Sequence, residues 1–407
     1  MKVKTIISSL ILALNISFIH AQIQIHPSKV DVQLTNTGQS PLLQGPAALN
    51  QDGYFVWGGS VVKGEDGKYH MFYARWISGE EHEKFSDGWL INSEIAYAVS
   101  DYPDHGFEFV KVVLRGRARD GYPEAWDAQS VHNPHIKKFD GKYYLYHTGS
   151  KYPGKQPPGS PGAKLSKRDL VQQSQQLGVV TFDSIEDLLE GNITRYNKPL
   201  LSPRTRVKPN NVLNPSPKGT KSLPDNLIVV NPAVVFRPSD GKYLLYFKGN
   251  IYTPSWRGVH GVAIGDTPIG PFYPKDKYVF DVKDENGQLA SAEDPYVWYH
   301  SKSQKFYAVF KDFTGKITKG EPGLAIMNST DGEKWEQMEQ SMFMPLELQL
   351  KNGSKVQVKR LERPQLLIDE NGLPKVLYAA CAIEGPNAKK DGSSFNIQVP
   401  LKGEFLE

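Results

Sequence analysis

Two glutamates of this 407-residue chain are separated from a following proline by a single charged residue. Glu293 is followed by Asp294, and Glu362 is followed by Arg363. Carboxylates that share a cleft can have their pKa values pushed apart, so that one acts as an acid and another as a base. Hydrolysis of a glycosidic bond needs a carboxylic acid that protonates the leaving oxygen and a carboxylate that activates water or attacks the sugar. Glu293 is the predicted proton donor, because repulsion from Asp294 would raise its pKa, whereas Arg363 favours an ionised Glu362.

Both glutamates belong to a sequence pattern that occurs five times. In each copy a short strand begins at a polar or small pair, and an aromatic-rich strand follows after a turn. From Gly59 through the four prolines of the later copies, the spacing is 75, 98, 63 and 69 residues. A small antiparallel sheet repeated at this period predicts an all-β fold, a five-bladed β-propeller, whose first strands start around one axis. The copies begin at Trp57, His132, Val230, Glu293 and Glu362.

Further strands and one insertion complete the predicted organisation. A third strand of alternating small and apolar residues is expected in each unit, for example over 93–100, 261–265 and 323–329. Residues 22–407 are therefore predicted to form a single catalytic propeller domain. A long insertion around 150–226 interrupts the second unit, and residues 183–191 within it are expected to form a short helix that ends at a glycine.

The N-terminus has the pattern of a secretory signal peptide. Two lysines precede an interrupted apolar run, and Ala21 suits a cleavage site, so residues 1–21 are predicted to be removed on export. The single cysteine, Cys381, lies in an apolar strand and is expected to be a buried thiol. The formal net charge is +4, and nothing points to nucleic acid or, after cleavage, to a membrane span. We therefore expect a periplasmic or secreted bacterial protein.

In its fivefold strand pattern and its two glutamates the chain resembles the five-bladed propeller glycoside hydrolases, which include families 43, 32 and 117. The resemblance covers most of residues 50–385 and depends more on the blade rhythm than on identical motifs. In family 32 enzymes the glutamate that acts as the catalytic acid stands two positions before a proline, and both Glu293 and Glu362 fit that spacing. The resemblance implies that the strand starts line a sugar-binding pocket, and that a calcium ion can lie on the propeller axis.

The sequence departs from these families at the first blade. They carry an aspartate there, whereas this chain has Gly58, Gly59 and a serine. Asn133 and Asn231 likewise stand where an aspartate would be familiar. The catalytic base must then come from elsewhere, and Asp127, in a tryptophan-flanked loop beside the second blade, is the predicted base. Its rivals are Glu94, Asp294 and Glu362.

Basic groups recur where the second strands end. These are Arg75, His147, Lys248 and Lys311, to which Arg363 adds a fifth. Around a pocket they would favour a sulfate, carboxylate or phosphate on the ligand. The alternative is that they are solvated strand ends that pair with nearby acids.

Neutral side chains would complete the sugar site. His132 and His135 lie on opposite sides of one strand, so at most one faces the pocket, and His132 is the better candidate. Asn133 and Asn231 are expected to hold the sugar with His132 and Arg363, although an asparagine before proline can also simply cap a turn. Faces for sugar rings are offered by Trp57, Trp76, Trp126 and Tyr73.

These features predict an exported, exo-acting glycoside hydrolase, since long loops over one face would close a funnel into a pocket. Its substrate is expected to be an oligosaccharide or polysaccharide, with an anionic or sulfated sugar favoured. A glycoside phosphorylase of the same architecture and a non-catalytic sugar-binding propeller remain as alternatives. No cofactor is expected, because the chain has neither zinc-ligand spacing nor a phosphate-binding glycine loop.

Overall fold

The computed structural model describes residues 22–36, 41–204, 219, 221–252 and 255–406. The predicted signal peptide over 1–21 lies outside these residues. Four short strands come before the first blade: β1 (Gln22–Pro27), β2 (Gln33–Asn36), β3 (Pro41–Gln44) and β4 (Ala48–Leu49). No helix of the described residues is long and apolar enough to cross a membrane.

Five antiparallel sheets follow one another along the chain, which confirms the predicted five-bladed β-propeller. Blade 1 contains β5 (Tyr54–Lys63), β6 (Tyr69–Ile77), β7 (Glu94–Ser100) and β8 (Glu108–Leu114). Blade 2 contains β9 (Ser130–Phe139), β10 (Lys142–Ser150), β11 (Gln176–Phe182) and β12 (Thr194–Arg195). Blade 3 contains β13 (Val230–Arg237), β14 (Lys242–Ile251), β15 (Arg257–Gly265) and β16 (Tyr273–Pro274). Blade 4 contains β17 (Ala292–His300), β18 (Lys305–Asp312), β19 (Gly323–Ser329) and β20 (Glu336–Pro345).

The two ends of the described chain close the circle. A hairpin of β21 (Glu347–Gln349) and β22 (Lys355–Gln357) leads into blade 5, which contains β23 (Arg360–Ile368), β24 (Pro374–Ala382) and β25 (Ser394–Leu406). The outermost strand of this blade is β1, which pairs with β25 in antiparallel register. Cys381 is fully buried in β24, where burial raises the pKa of its thiol, as expected of a core cysteine.

Within the described part of the chain, three α-helices lie in the connections. Helix α1 (Phe85–Asn92) joins β6 to β7, and α2 (Lys167–Gln172) and α3 (Ile185–Glu190) lie in the insertion of blade 2. The predicted helix over 183–191 is confirmed as α3, because Ser184 caps its first turn and Gly191 ends it in a left-handed conformation. A short 3₁₀ helix spans Arg117–Asp120.

Every inner strand carries the same irregularity near its start. The register between first and second strand shifts at the second and third residues of each copy of the sequence pattern. The first of these two residues has a positive φ in all five blades, and the second is proline in four. A bulge removes the second residue from the ladder, so the missing N–H of proline costs no hydrogen bond there. The left-handed residues are Gly58, Asn133, Asn231, Asp294 and Arg363.

Candidate active site

The inner strands begin around a cavity of about 240 Å³. Blade 4 contributes Glu293 and Asp294 to its lining, and blade 5 contributes Glu362 and Arg360. Neighbouring inner strands pack against one another around the axis, so the bulges of successive blades face a common space. The structure thus brings together both acidic pairs that the sequence singled out.

Three carboxylates form the acidic centre of this cavity. One oxygen each from Glu293, Asp294 and Glu362 can be chosen so that all three lie within 4.8 Å of one another. The side chain of Glu293 is 18% exposed, whereas those of Asp294 and Glu362 are 4% and 7% exposed. Glu293 is therefore the carboxylate most accessible to a ligand.

A lysine is paired with each of the two glutamates. The Nζ of Lys248 contacts an oxygen of Glu293, and the Nζ of Lys311 donates to Glu362 Oε1 at 2.9 Å. Both lysines are almost fully buried. Each pair joins two blades, because Lys248 on β14 of blade 3 reaches Glu293 on β17 of blade 4, and Lys311 on β18 of blade 4 reaches Glu362 on β23 of blade 5.

Asp294 lies beneath these pairs in a different environment. It accepts a hydrogen bond from Asn231 Nδ2 and another from the backbone N–H of Arg363 at 3.1 Å. Burial raises the pKa of Asp294 to about 7, with Glu293 and Glu362 adding to the rise and Arg363 opposing it. The raised pKa of Asp294 was not predicted from the sequence, and the one expected at Glu293 stays a prediction.

The left-handed residues form a hydrogen-bonded ring around the axis. Asn133 Nδ2 donates to Asn231 Oδ1 at 2.6 Å, and Asn231 in turn donates to Asp294. The Arg363 guanidinium completes the ring, with its Nη2 donating to the backbone oxygens of Asn133 at 3.4 Å and Pro134 at 3.3 Å. Asn133 and Asn231, which also line the cavity, are thus fixed by one another before any ligand is present.

His132 and His135 have different surroundings, and the bulge at residues 133–134 lies between them. His132 lines the cavity, and its Nδ1 is 2.8 Å from Ser93 Oγ. Burial lowers its pKa to about 3, with Arg363 adding to the effect, so the ring is neutral. His135 lies at the axis instead, between Gln365 and the backbone of Val234, which makes it a structural residue.

Aromatic side chains form the walls of the cavity. Trp57 and Trp76 line it, as the sequence predicted, together with Trp256 from the loop before β15. Helix α1 adds Phe85 and Trp89, and the ring of Trp89 lies 5.0 Å from that of His132. The blade 2 insertion adds Gln172 and Gln175, so loops from two blades narrow the cavity.

Asp127, the predicted base, is not at the cavity. Its side chain is fully buried, and Arg117 Nε lies 2.6 Å and Arg195 Nη2 lies 2.7 Å from its two oxygens. Burial raises the pKa of Asp127, but its contacts with His147 and the two arginines outweigh this and hold the pKa well below its usual value. Trp126 packs against His147 in the same cluster. The geometry therefore assigns Asp127 a structural role within blade 2, and the prediction that placed it in the pocket is wrong.

Other predicted site residues also do not line the cavity. Arg75 is buried against Glu94 at 2.9 Å, and neither lines the cavity. Tyr73 is buried and donates to Gln51. Of the four basic groups predicted at the ends of the second strands, Arg75 and His147 do not line the cavity, and the two in blades 3 and 4 lie at it. There Lys248 lines it and Lys311 touches it through Glu362.

Several cavity residues have no counterpart in the sequence prediction. Phe85 and Trp89 come from a helix between two strands, Trp256 from a loop, and Arg360 from two positions before Glu362. Arg360 alone could have been found, because residues two apart on a strand share a face. The others depend on how the connections fold back.

The three carboxylates could supply oxygen ligands to a metal ion. Among the described residues, however, their oxygens are already approached by Lys248, Lys311 and Arg363. Positive charge is thus built into the cluster, and the donor set suits proton transfer better than cation binding.

The sequence matches no protein-family model and no curated protein. Solved structures do match over most of its length. Zg3597, a family 117 glycoside hydrolase of the marine bacterium Zobellia galactanivorans, aligns with a TM-score of 0.55 at 16% identity, over 94% of this protein and 90% of that one. A second glycoside hydrolase aligns with a TM-score of 0.55 at 12% identity, over 87% and 89% of the two proteins. A thermostable family-43 glycoside hydrolase aligns with a TM-score of 0.52 at 12% identity, over 87% and 91%.

At these identities the similarity shows a common fold. The resemblance to five-bladed propellers of families 117 and 43 is confirmed at the level of architecture. A fold of this kind hosts several chemistries, so the reaction has to be argued from the site.

Proposed function

We propose that this protein is a glycoside hydrolase whose acid–base chemistry is carried by Glu293, Asp294 and Glu362. The observation behind the proposal is the convergence of three carboxylates, within 4.8 Å, in a cavity with aromatic walls. Aromatic rings stack on the apolar faces of sugars, and carboxyl groups in different protonation states are what glycosidic hydrolysis uses. Glycoside hydrolases among the proteins of similar fold support the same class of reaction.

In this proposal Glu293 delivers the proton. A proton donor must first be able to contact the glycosidic oxygen, and only then does its pKa matter. The Glu293 carboxylate is the most exposed of the three. Carboxylates this close titrate as one unit, and the pKa of about 7 at Asp294 means that the cluster retains a proton near neutral pH. The resting proton is therefore held at Asp294. In the proposed reaction it moves to Glu293, whose oxygen lies within 4.8 Å, and from Glu293 to the glycosidic oxygen, which leaves both carboxylates ionised.

Glu362 is the second carboxylate of the proposed reaction. It comes from the neighbouring blade, so it approaches the bound sugar from a different side than Glu293 does. Lys311 holds it in place with a 2.9 Å hydrogen bond. From this position it either activates a water molecule or attacks the anomeric carbon, and the choice determines inversion or retention.

The proposed mode of action is release of single sugars from a chain end. The cavity is about 240 Å³, with α1 and the blade 2 insertion at its edge, which suits one sugar ring better than a long chain. The proposed place of action is the periplasm or the exterior of a bacterium, on the strength of the N-terminal sequence pattern alone.

The test is hydrolysis of neutral, uronic and sulfated oligosaccharides by purified protein lacking residues 1–21, with and without added phosphate. Release of a monosaccharide that does not depend on phosphate and is lost in Glu293→Gln would support the proposal. Strict dependence on phosphate would instead identify a glycoside phosphorylase.

A non-catalytic sugar-binding propeller is the second candidate. It is favoured by Gly58, which leaves the first blade without the aspartate that the resembling families carry there. Sugar binding without turnover of any substrate in the panel would support it.

A further inference from the structure

The guanidinium of one arginine that lines the cavity makes no hydrogen bond among the described residues and forms a long ion pair only. Lys248 and Lys311 each contact a glutamate, and the Arg363 guanidinium donates to backbone oxygens beneath the cavity. Arg360 differs, because its nearest carboxylate oxygen, Glu362 Oε1, lies 3.7 Å from its Nη1. That separation is too long for a hydrogen bond.

The position of Arg360 is fixed without a strong ion pair. It precedes Glu362 by two residues on β23 and therefore shares its face. Its guanidinium lies 5.5 Å from the centre of the Phe85 ring of α1, which is within the range of a cation–π contact. The side chain lines the cavity and is 33% exposed. A ligand can therefore reach its N–H groups without first breaking a bond inside the protein.

Cations outnumber carboxylates around the three-carboxylate cluster. Four cations, Lys248, Lys311, Arg360 and Arg363, face the three carboxylates. Protonation of Asp294 near neutral pH, where its pKa of about 7 lies, increases the excess further. A neutral sugar would leave the guanidinium of Arg360 unused.

We propose that Arg360 is a specificity-determining residue that binds an anionic group of the sugar in the cavity, either a uronic carboxylate or a sulfate ester. This inference rests on the proposed function for the identity of the ligand as a saccharide. The guanidinium offers parallel N–H donors whose geometry matches both oxyanions. Its closeness to Glu362 places the anionic group beside the second carboxylate, on the blade 5 side of the sugar.

Binding of monosaccharides tests the inference apart from hydrolysis, since they contain no bond to cleave. Galacturonic acid, galactose 6-sulfate and galactose would be titrated calorimetrically into the wild-type protein, Arg360→Gln, Arg360→Lys and the control Arg115→Gln. Arg115 is an exposed arginine that pairs with Asp120 and does not line the cavity. Thermal unfolding of each variant would verify that it is folded.

We expect at least one charged sugar to bind the wild type about tenfold more tightly than galactose, which corresponds to about 1.4 kcal/mol. The preference should disappear in Arg360→Gln, persist in Arg115→Gln, and fall with rising salt concentration. In Arg360→Lys the preference should weaken without disappearing, because lysine keeps the positive charge but cannot form the paired hydrogen bonds.

The charged sugar that binds more tightly than galactose identifies the anionic group as a carboxylate or a sulfate. Equal affinity for charged and neutral sugars in the wild type, absence of binding by both charged sugars, or a preference that survives in Arg360→Gln would overturn the inference. A preference without hydrolysis of any oligosaccharide would uphold it while contradicting the proposed glycosidase activity.

Discussion

The side chain of Arg363 lies against Gly58, the one position of the axial ring that has no side chain. A Cβ atom added at Gly58 would meet only the Cβ of Arg363, at 3.9 Å. The fully buried guanidinium extends from there toward the second blade and donates to the backbone oxygens of Asn133 and Pro134. The Cβ of an internal cation therefore lies next to the position where the first blade has no side chain, and its guanidinium lies beside Asp294.

Removal of this cation should destabilise the fold. In Arg363→Met, Asp294 stays buried without its compensating charge, so we expect the free energy of unfolding to fall by about 3 kcal/mol. Chemical denaturation of Arg363→Met, with Arg115→Met as a control for loss of an exposed arginine, measures the effect. In the double variant with Asp294→Asn, part of the loss should be recovered, because the unpaired charge is gone. Additive losses would show that the two residues do not interact.

At Gly58, a side-chain carboxylate should stabilise the protein more than a side-chain amide does. Among the described residues, Nε and Nη1 of Arg363 have no hydrogen-bond partner. Aspartate and asparagine both tolerate the φ of 67° at Gly58, so backbone strain is matched in the two variants. We expect Gly58→Asp to be about 1 kcal/mol more stable than Gly58→Asn, since a charge-assisted hydrogen bond exceeds a neutral one by about that amount. Equal stability of the two, measured by urea denaturation, would contradict this arrangement.

The stability of the protein should depend on pH through Asp294. Its pKa rises from 3.8 to about 7 on folding, so between these values the folded state binds more protons than the unfolded state. Stability from this group is fully present below about pH 4 and is lost as the pH rises toward 7, by up to about 1.4 kcal/mol per pH unit. The difference in free energy of unfolding between wild type and Asp294→Asn isolates the effect, since buried His132 and His135 titrate in both. We expect the wild type to lose stability relative to the variant from pH 4 to 7, and a constant difference would refute the raised pKa.

Asp127 should matter for stability and not for catalysis. In Asp127→Asn, Arg117 and Arg195 lose the carboxylate that they share, so we expect the free energy of unfolding to fall by about 3 kcal/mol. Turnover below the melting temperature should stay within about twofold of the wild type, because the residue does not line the cavity. A loss of turnover by orders of magnitude in a folded Asp127→Asn would return this residue to the catalytic site.

The repeat of bulge and proline made the propeller predictable, because the same local conformation occurs in every blade. Asn133, Asn231 and Asp294 were found this way, since the pattern places them at one level around the axis. Roles within the cluster depended on burial and on partners far away in sequence, so the sequence alone did not predict that burial raises the pKa of Asp294.

Asp127 illustrates the other limit of sequence reasoning. Its place beside a strand start suggested the pocket, but Arg117 and Arg195 draw it into blade 2. No periodicity in the sequence predicts that two arginines, 10 and 68 positions away from Asp127, share its carboxylate. Phe85 and Trp89 were missed for a related reason, since a helix between two strands reaches the cavity only through the way it packs.

Proton donation by Glu293 is tested most directly by comparing two substrates of the same sugar in Glu293→Gln. An oligosaccharide needs a proton on its leaving oxygen, whereas a dinitrophenyl glycoside has a leaving group that departs without one. We predict that kcat/KM falls by about 10²- to 10⁴-fold for the oligosaccharide and by less than about tenfold for the dinitrophenyl glycoside. Equal losses on both substrates, or no loss on either, would contradict the assignment of Glu293 as the acid.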